Sequence, residues 1–333
     1  MRDISETATL IITEALHSSA TDIHFHSLDN EVTIHFRVHG ERLHHKNLSI
    51  KLYEQLLLHF KFSSGMDIGE KNLPQNGTMT FNVHSLRYFL RLSTLPSKPL
   101  ESLAIRILPQ HNELSTNDLF LFPDQFKKML SLFKYKSGLI LFSGKTGSGK
   151  TTTMYSLLQT VQNNKSYQTI TLENPIEKRI PNILQIEINQ NAGLTYNKGL
   201  QAVLRHDPDI ILIGEILNQE VAKFAFEAAL TGHLVLSTLH AKNAAGTIDR
   251  LLALDIKRID LLQSLIAIIS LELIPIEIQN NHRRRAAIAE IMQHEQLTQY
   301  IKGNSFNNSS YFTFHQLRKK AYAYGFLSER NFF

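Results

Sequence analysis

The sequence predicts an α/β protein in two parts: a parallel sheet covered by helices on both faces, preceded by a smaller α+β module. Three observations carry this. From Gly138 onward, apolar runs (Leu139 to Ser143, Gln168 to Leu172, Ile210 to Ile213, Leu234 to Ser237) take turns with helical stretches, the rhythm of strands buried on both sides. Before about residue 108, strands come in runs with few helices, which suggests an α+β arrangement. Between the two, Pro109 to Pro123 has two prolines and a polar centre, Gln110 to Asp118, and reads as a linker. The expected divisions are 1–108, a linker over 109–122, and 123–333 with a helical C-terminal part.

The first part opens with Met1 to Leu16, where Asp3, Glu6 and Glu14 interrupt the apolar residues. That pattern predicts an amphipathic helix and not a signal peptide. Asp22 to Ser27 and Val32 to Val38 alternate as strands, the second ended by His39-Gly40. Lys51 to Phe62 reads as a helix, followed by a loop with Gly65, Gly69, Pro74 and Gly77. Arg87 to Ser93 and Leu103 to Leu108 read as further strands. Leu261 to Leu271 is the longest apolar stretch, but Gln263, Ser264 and then Glu272 make it too short and too interrupted to span a bilayer. The expectation is a soluble, intracellular protein.

Composition narrows the chemistry. The 333 residues, 43 % of them hydrophobic, suffice for a real core in one large or two domains. A formal charge of +5, from 35 basic and 30 acidic residues, argues only weakly for nucleic-acid binding. The absence of cysteine excludes disulfides, thiol chemistry and any cysteine-based zinc or iron site. Among the 16 histidines, His24, His26, His35 and His39 are expected on adjacent strands whose residues alternate in direction, so they should not converge on a metal.

Gly144-Lys145-Thr146-Gly147-Ser148-Gly149-Lys150-Thr151 fits the phosphate-loop pattern G-x-x-x-x-G-K-[ST]. Its context also fits, with a buried strand before it and a helix from Lys150 to Val161 after it. Glycines let the backbone curl so that several N–H groups face one anion, and the helix N-terminus adds positive potential. Lys150 is placed to reach β- and γ-phosphates, and the Thr151 hydroxyl to ligate Mg²⁺. Ile210 to Ile213 runs into Gly214-Glu215, a strand that delivers a carboxylate to the ligand-binding end of the sheet. Glu215 there suits Mg²⁺, partly through water, or the attacking water itself.

These segments resemble the type II secretion and type IV pilus ATPases. The P-loop with its extra threonines, Gly144 to Thr153, is followed by Thr171-Leu172-Glu173-Asn174-Pro175-Ile176-Glu177, similar to that family's Asp box. Leu204 to Asp209 leads to Glu215, and Leu230 to His240 is similar to the His box. In the first part, Asp22-Ile23-His24, Met66 to Ile68, Leu73 to Gly77, Arg91 to Pro96 and Arg106 to Leu108 resemble N-domain motifs. The resemblance covers about residues 15 to 292. It implies a RecA-like P-loop core with a PAS-like N-terminal α+β domain, using ATP and Mg²⁺. The start almost directly at the N-terminal domain, and the lack of the family's four-cysteine zinc loop, make the chain similar to ComGA-type ATPases of Gram-positive competence pseudopili. Pilus retraction ATPases and a nucleotide-binding regulator with weak turnover are the alternatives.

The resemblance also implies roles. Glu173 and Glu215 are the candidate carboxylates for water and metal, and His240 the candidate γ-phosphate sensor or bridge to a neighbour. Glu177 is a weaker candidate, and His233 is expected to be structural. Arg91 and Arg106 are candidate arginine fingers, since guanidinium suits the spread charge of phosphoryl transfer. The implied partners are copies of the chain in a ring, expected to be hexameric, and an inner-membrane platform protein reached from the cytoplasm; no direct DNA binding and no zinc are expected. Where the family usually has Arg-Asp this chain has Leu217-Asn218, Asn174 and Asn243 stand where Asp is common, and Leu271-Glu272-Leu273 stands where Gln-Arg-Leu is frequent, each change removing a possible charge of the family's residue.

Overall fold

A computed structural model describes residues 3–38, 40–83, 86–110, 119–189, 192–278, 282–304 and 311–327. His39, expected to end the second strand, and 111–118, the centre of the expected linker, lie outside the described residues. The chain divides into two compact units, Met1–Glu113 and Leu114–Phe333.

The first unit runs α1 (Ile4–His17), β1 (Ala20–Ser27), β2 (Val32–Val38), β3 (Glu41–Leu48), α2 (Ile50–Ser63), β4 (Gln75–Val83), β5 (Leu86–Leu95) and β6 (Ser102–Pro109). The strands form one antiparallel sheet in the order β3-β2-β1-β6-β5-β4. Alternation sorts its two faces. Ile23, Phe25, Ile34, Phe36, Leu90, Leu92 and Ile105 form a core with Ile11 and Ile12 of α1 and Tyr53, Leu56 and Phe60 of α2.

The opposite face is polar and ordered in rows. Arg42, Arg37, Asp22, Arg106 and Arg91 are successive cross-strand partners over five strands. His44, His35 and His24 form the next row. The sequence placed His24, His26 and His35 in diverging directions; the structure corrects this. Residues 24 and 26 are two apart on β1 and His35 is the partner of His24, so all three share a face. The ring centroids of His24–His26, His26–His35 and His35–His44 are 6.4, 6.0 and 5.5 Å apart. Arg42 Nη2 lies 3.1 Å from His35 Nδ1. Among the described residues no group of three His, Cys, Asp or Glu side chains is placed to hold a metal ion.

The second unit contains α3 (Pro123–Leu130), β7 (Gly138–Ser143), α4 (Lys150–Asn164), β8 (Thr169–Glu173), β9 (Leu184–Glu187), α5 (Tyr196–Val203), β10 (Ile210–Ile213), α6 (Gln219–Leu230), β11 (Leu234–Leu239), α7 (Ala244–Ala253), α8 (Arg258–Ser264), β12 (Leu265–Ile278), β13 (His282–Gln293), α9 (His294–Lys302) and α10 (Phe314–Ala323). Its sheet has the order β13-β12-β7-β11-β10-β8-β9, parallel except for β13. Two apolar layers flank it. Leu139, Leu141, Ile211 and Val235 face α5, α6 and α7, whereas Ile140, Phe142, Leu212 and Leu236 face α3 and α4. Each central strand is therefore buried at every position and mostly apolar, because both of its faces are covered. The expected helical C-terminal part begins instead with the long β12–β13 hairpin. Among the described residues no helix is long and apolar enough to cross a membrane.

Candidate nucleotide site

The phosphate loop sits between β7 and α4, at the carboxyl end of the parallel strands. Its glycines at 144, 147 and 149 have φ of 141, 76 and 91°, a region that side chains other than glycine adopt at a cost. At Gly144 a Cβ would lie 2.5 Å from both the Leu271 carbonyl oxygen and Ser148 Oγ, so the loop can follow this path only without a side chain. Ser148 Oγ is buried and has no hydrogen-bond partner among the described residues. The Lys150 ammonium donates to the carbonyls of Gly144 and Lys145 at 2.9 and 3.0 Å. Burial pushes its pKa down, while the Glu215 and Glu177 carboxylates pull it back up. Lys150 and Thr151 occupy the first turn of α4, so Lys145 to Thr151 form a concave, donor-rich surface suited to phosphates.

Glu215 follows β10, and His240 follows the neighbouring strand β11. The paired strands deliver both side chains to the same edge, where His240 Nε2 lies 3.0 Å from Glu215 Oε1. Backbone contacts fix the approach: Ile216 N donates to the Thr238 carbonyl at 2.9 Å and Thr238 Oγ1 to the Gly214 carbonyl at 2.7 Å. The histidine side chain is 50 % exposed and the glutamate 32 %, so both are accessible to a ligand. His233 precedes β11 and contacts the Ala228 carbonyl through Nδ1 at 3.2 Å.

Glu173, the last residue of β8, is in a different environment. It is 4 % exposed and accepts from the Tyr155 hydroxyl, from Thr171 Oγ1 at 2.5 Å and from Gln185 Nε2 at 3.1 Å. A buried carboxylate is tolerated where donors replace its water, and Tyr155 and Gln185 were not singled out from the sequence. Nothing in the order of residues placed them there: one lies on the inner side of α4 and the other on edge strand β9. Tyr196 is a third such residue. Burial, with smaller contributions from Glu215 and Glu173, pushes its hydroxyl up to about 12, so the phenol stays protonated near both carboxylates.

The structure brings Lys150, Glu173, Glu215 and His240 to one end of one sheet. Arg91 and Arg106 belong to the other unit. They are direct cross-strand neighbours there, but their situations differ. Both are exposed, and Arg106 Nε donates to buried Asp22 at 2.8 Å.

Comparison with known proteins adds to this geometry. A family model described as type II/IV secretion system protein matches residues 2–321. The competence protein ComGA of Bacillus subtilis (strain 168) is 40 % identical over all of this chain and 98 % of its own length. The crystal structure of the pilus retraction motor PilT with bound ADP superposes with a TM-score of 0.73, 27 % identity, and coverage of 97 % of this chain and 95 % of that one. The ATPase DotB of Legionella pneumophila gives a TM-score of 0.76 at 22 % identity, over 97 % of this chain and 93 % of its own, and so shares the fold.

Proposed function

The chain belongs to the type II/IV secretion system protein family, and from that premise we propose that it is the ATP-hydrolysing motor that assembles a competence pseudopilus for DNA uptake. The observation that carries this reading is the full-length similarity to ComGA, 40 % over the entire chain. Likeness to the retraction motor, at 27 % identity, gives the retraction alternative less support.

The residues suggest how the site works. The P-loop amides and the α4 N-terminus hold the phosphates, and Lys150 exchanges its loop carbonyls for phosphate oxygens, its burial being compensated by the new partner. Thr151 and Glu215 fit a Mg²⁺ ion, which would neutralise charge on the β- and γ-phosphates. Glu173 and Glu215 divide the holding of that ion and the orienting of the attacking water. His240, bonded to Glu215, reports the state of the γ-phosphate to β11 and α7. Arg91 and Arg106 supply further cations to the transition state. We place the working protein in a hexameric ring on the cytoplasmic face of the cell membrane, docked on a platform protein, without direct DNA contact and without zinc.

The test is a strain deleted for the chain and complemented either with the wild type or with Lys150→Ala. Pseudopili and transformation should return only with the wild type. If the Lys150→Ala chain restores both, ATP turnover is not the source of the work. If the deletion strain makes pili that fail only to shorten, the retraction reading takes its place.

A further inference from the structure

One buried carboxylate in the ATPase unit has no part in the site described above. Glu290 on β13 is 3 % exposed, and its two oxygens serve two different helices. Oε2 accepts from Ala244 N at 3.0 Å and Oε1 from Phe314 N at 2.7 Å. Ala244 and Phe314 are the first residues of α7 and α10, so each N–H is one of the donors that a helix start leaves unpaired. A negative charge at two helix N-termini is favoured by both macrodipoles.

The position of Glu290 in the sheet gives this contact its meaning. Glu290, Ser270, Ser143 and Leu239 are successive cross-strand partners on β13, β12, β7 and β11. They form the row at which β7 and β11 end, because Ser143 precedes Gly144 of the phosphate loop and Leu239 precedes His240, while β12 and β13 run on as a pair beyond it. α7 lies on this row and is fixed to it twice by polar contacts. Thr247 Oγ1 donates to Ser143 Oγ at 2.7 Å, with Ser143 in turn bonded to Ser270, and Ala244 N donates to Glu290. Only residues 241–243 separate His240 from the start of α7. That short turn is held at one end by β11 and at the other by the Glu290 carboxylate.

We infer that Glu290 is a positioning residue for ATP hydrolysis: by holding the first turn of α7, it sets His240 against Glu215. The inference rests on the reading of the Glu215–His240 pair as part of the ATPase site. It explains why a carboxylate is kept in an apolar interior, where burial and the nearby Glu272 charge raise its pKa against the opposing effect of its two N–H donors. An amide in its place retains one acceptor oxygen and turns an NH₂ toward the other N–H. The first N–H of one helix then loses its acceptor, although the side-chain caps Asn243 and Thr313 remain, and His240 loses its fixed approach.

The experiment measures steady-state ATPase kinetics of the full chain as wild type, Glu290→Gln, His240→Ala and the double variant, with ADP-induced thermal shifts to report nucleotide binding. Loss of a supporting contact typically costs on the order of 10-fold or more in activity. Glu290→Gln should therefore lower kcat roughly 10-fold with KM within about twofold, and the double variant should be no slower than His240→Ala alone. An unchanged kcat in Glu290→Gln overturns the inference. So does a double variant whose loss is the product of the two single losses, since Glu290 would then act independently of His240. If His240→Ala itself turns over like the wild type, the reading of the pair fails, and the inference with it. Should Glu290→Gln not fold, Glu290→Asp keeps the charge and shortens the reach: reduced kcat at constant KM supports the proposal, and full kcat overturns it.

Discussion

Replacing Lys150 with alanine separates its role in the apo loop from its role on phosphate. In the apo protein the ammonium serves the loop itself through its bonds to Gly144 and Lys145. Two charge-assisted hydrogen bonds are worth about 1.5–3 kcal/mol each. Against this stands the cost of burying the cation, visible in its lowered pKa. The terms oppose, so Lys150→Ala should change apo stability by no more than ~1–2 kcal/mol. On phosphate the anion compensates the buried cation and replaces the two loop bonds that the lysine gives up. A unit charge about 4 Å from an anionic oxygen, at an effective dielectric near 20, contributes about 4 kcal/mol, or roughly a thousandfold. Thermal unfolding with and without ADP, beside turnover at saturating ATP, reads both quantities. The apo melting temperature should hold nearly steady while the ADP-induced shift and the hydrolysis disappear. Hydrolysis within twofold of wild type at saturating ATP would refute the assignment of the loop.

Three further outcomes follow from the same geometry. Glu215→Gln should bind nucleotide and stall hydrolysis; if Glu173→Gln stalls and Glu215→Gln does not, the accessible and the buried carboxylate exchange roles. Arg106→Ala should lower kcat and also destabilise the N-terminal unit by leaving buried Asp22 short of a partner, whereas Arg91→Ala leaves that contact in place and should lower kcat at constant stability; specific activity should rise with protein concentration as rings form, and a fully active monomer indifferent to both substitutions defeats the ring motor. The histidine row should make the N-terminal sheet acid-sensitive. Burial, with the neighbouring arginine and histidine charges, depresses the pKa of His24, His26 and His35 below the ordinary 6.5, so the stability that neutral histidines permit is complete above that value and is lost as pH falls through it toward the depressed ones. Amide exchange in β1–β3, corrected for intrinsic rates, should accelerate between pH 7.5 and pH 5, and unchanged protection would contradict this.

The sequence made legible whatever depends on local pattern. The P-loop announces itself by residue type and spacing, and the apolar runs Ile210–Ile213 and Leu234–Leu236 by having no polar face to show. β3 was missed because Glu41 to Leu48 is a mostly exposed edge strand rich in charged and histidine side chains, and only its pairing with β2 makes it extended. The apolar run from Leu261 to Leu271 crosses from α8 into β12, and an unbroken apolar run carries no period to tell one from the other. The site was legible in the same way. Lys150, Glu173, Glu215 and His240 stand in motifs. Tyr155, Gln185 and Glu290 act through partners 18, 12 and 46 residues away, a relation that exists only once the sheet is assembled.

The departures from the family's usual residues look like lost chemistry in the sequence and take on another meaning in the fold. Asn218 is the N-cap of α6, accepting from Val221 N at 3.0 Å, and Asn243 is the N-cap of α7, accepting from Gly246 N at 2.8 Å. Asparagine and aspartate cap almost equally well. What is lost at each position is one charge against a helix dipole, about 0.3–1 kcal/mol. Leu217 is 55 % exposed and is carried by neither helix nor strand. Glu272 forms an ion pair with Arg318 of α10, and its neighbour Leu271 supplies the carbonyl against which Gly144 packs, so that stretch is a buttress of the loop. Restoring aspartate at 218 and 243 together should then raise the unfolding free energy by roughly 0.6–2 kcal/mol, the sum of two such dipole terms, and leave kcat within about twofold. Denaturant titration and steady-state kinetics on Asn218→Asp/Asn243→Asp measure both. A tenfold gain in kcat would mean that these asparagines slow the chemistry itself, and that capping is not what holds them in this chain.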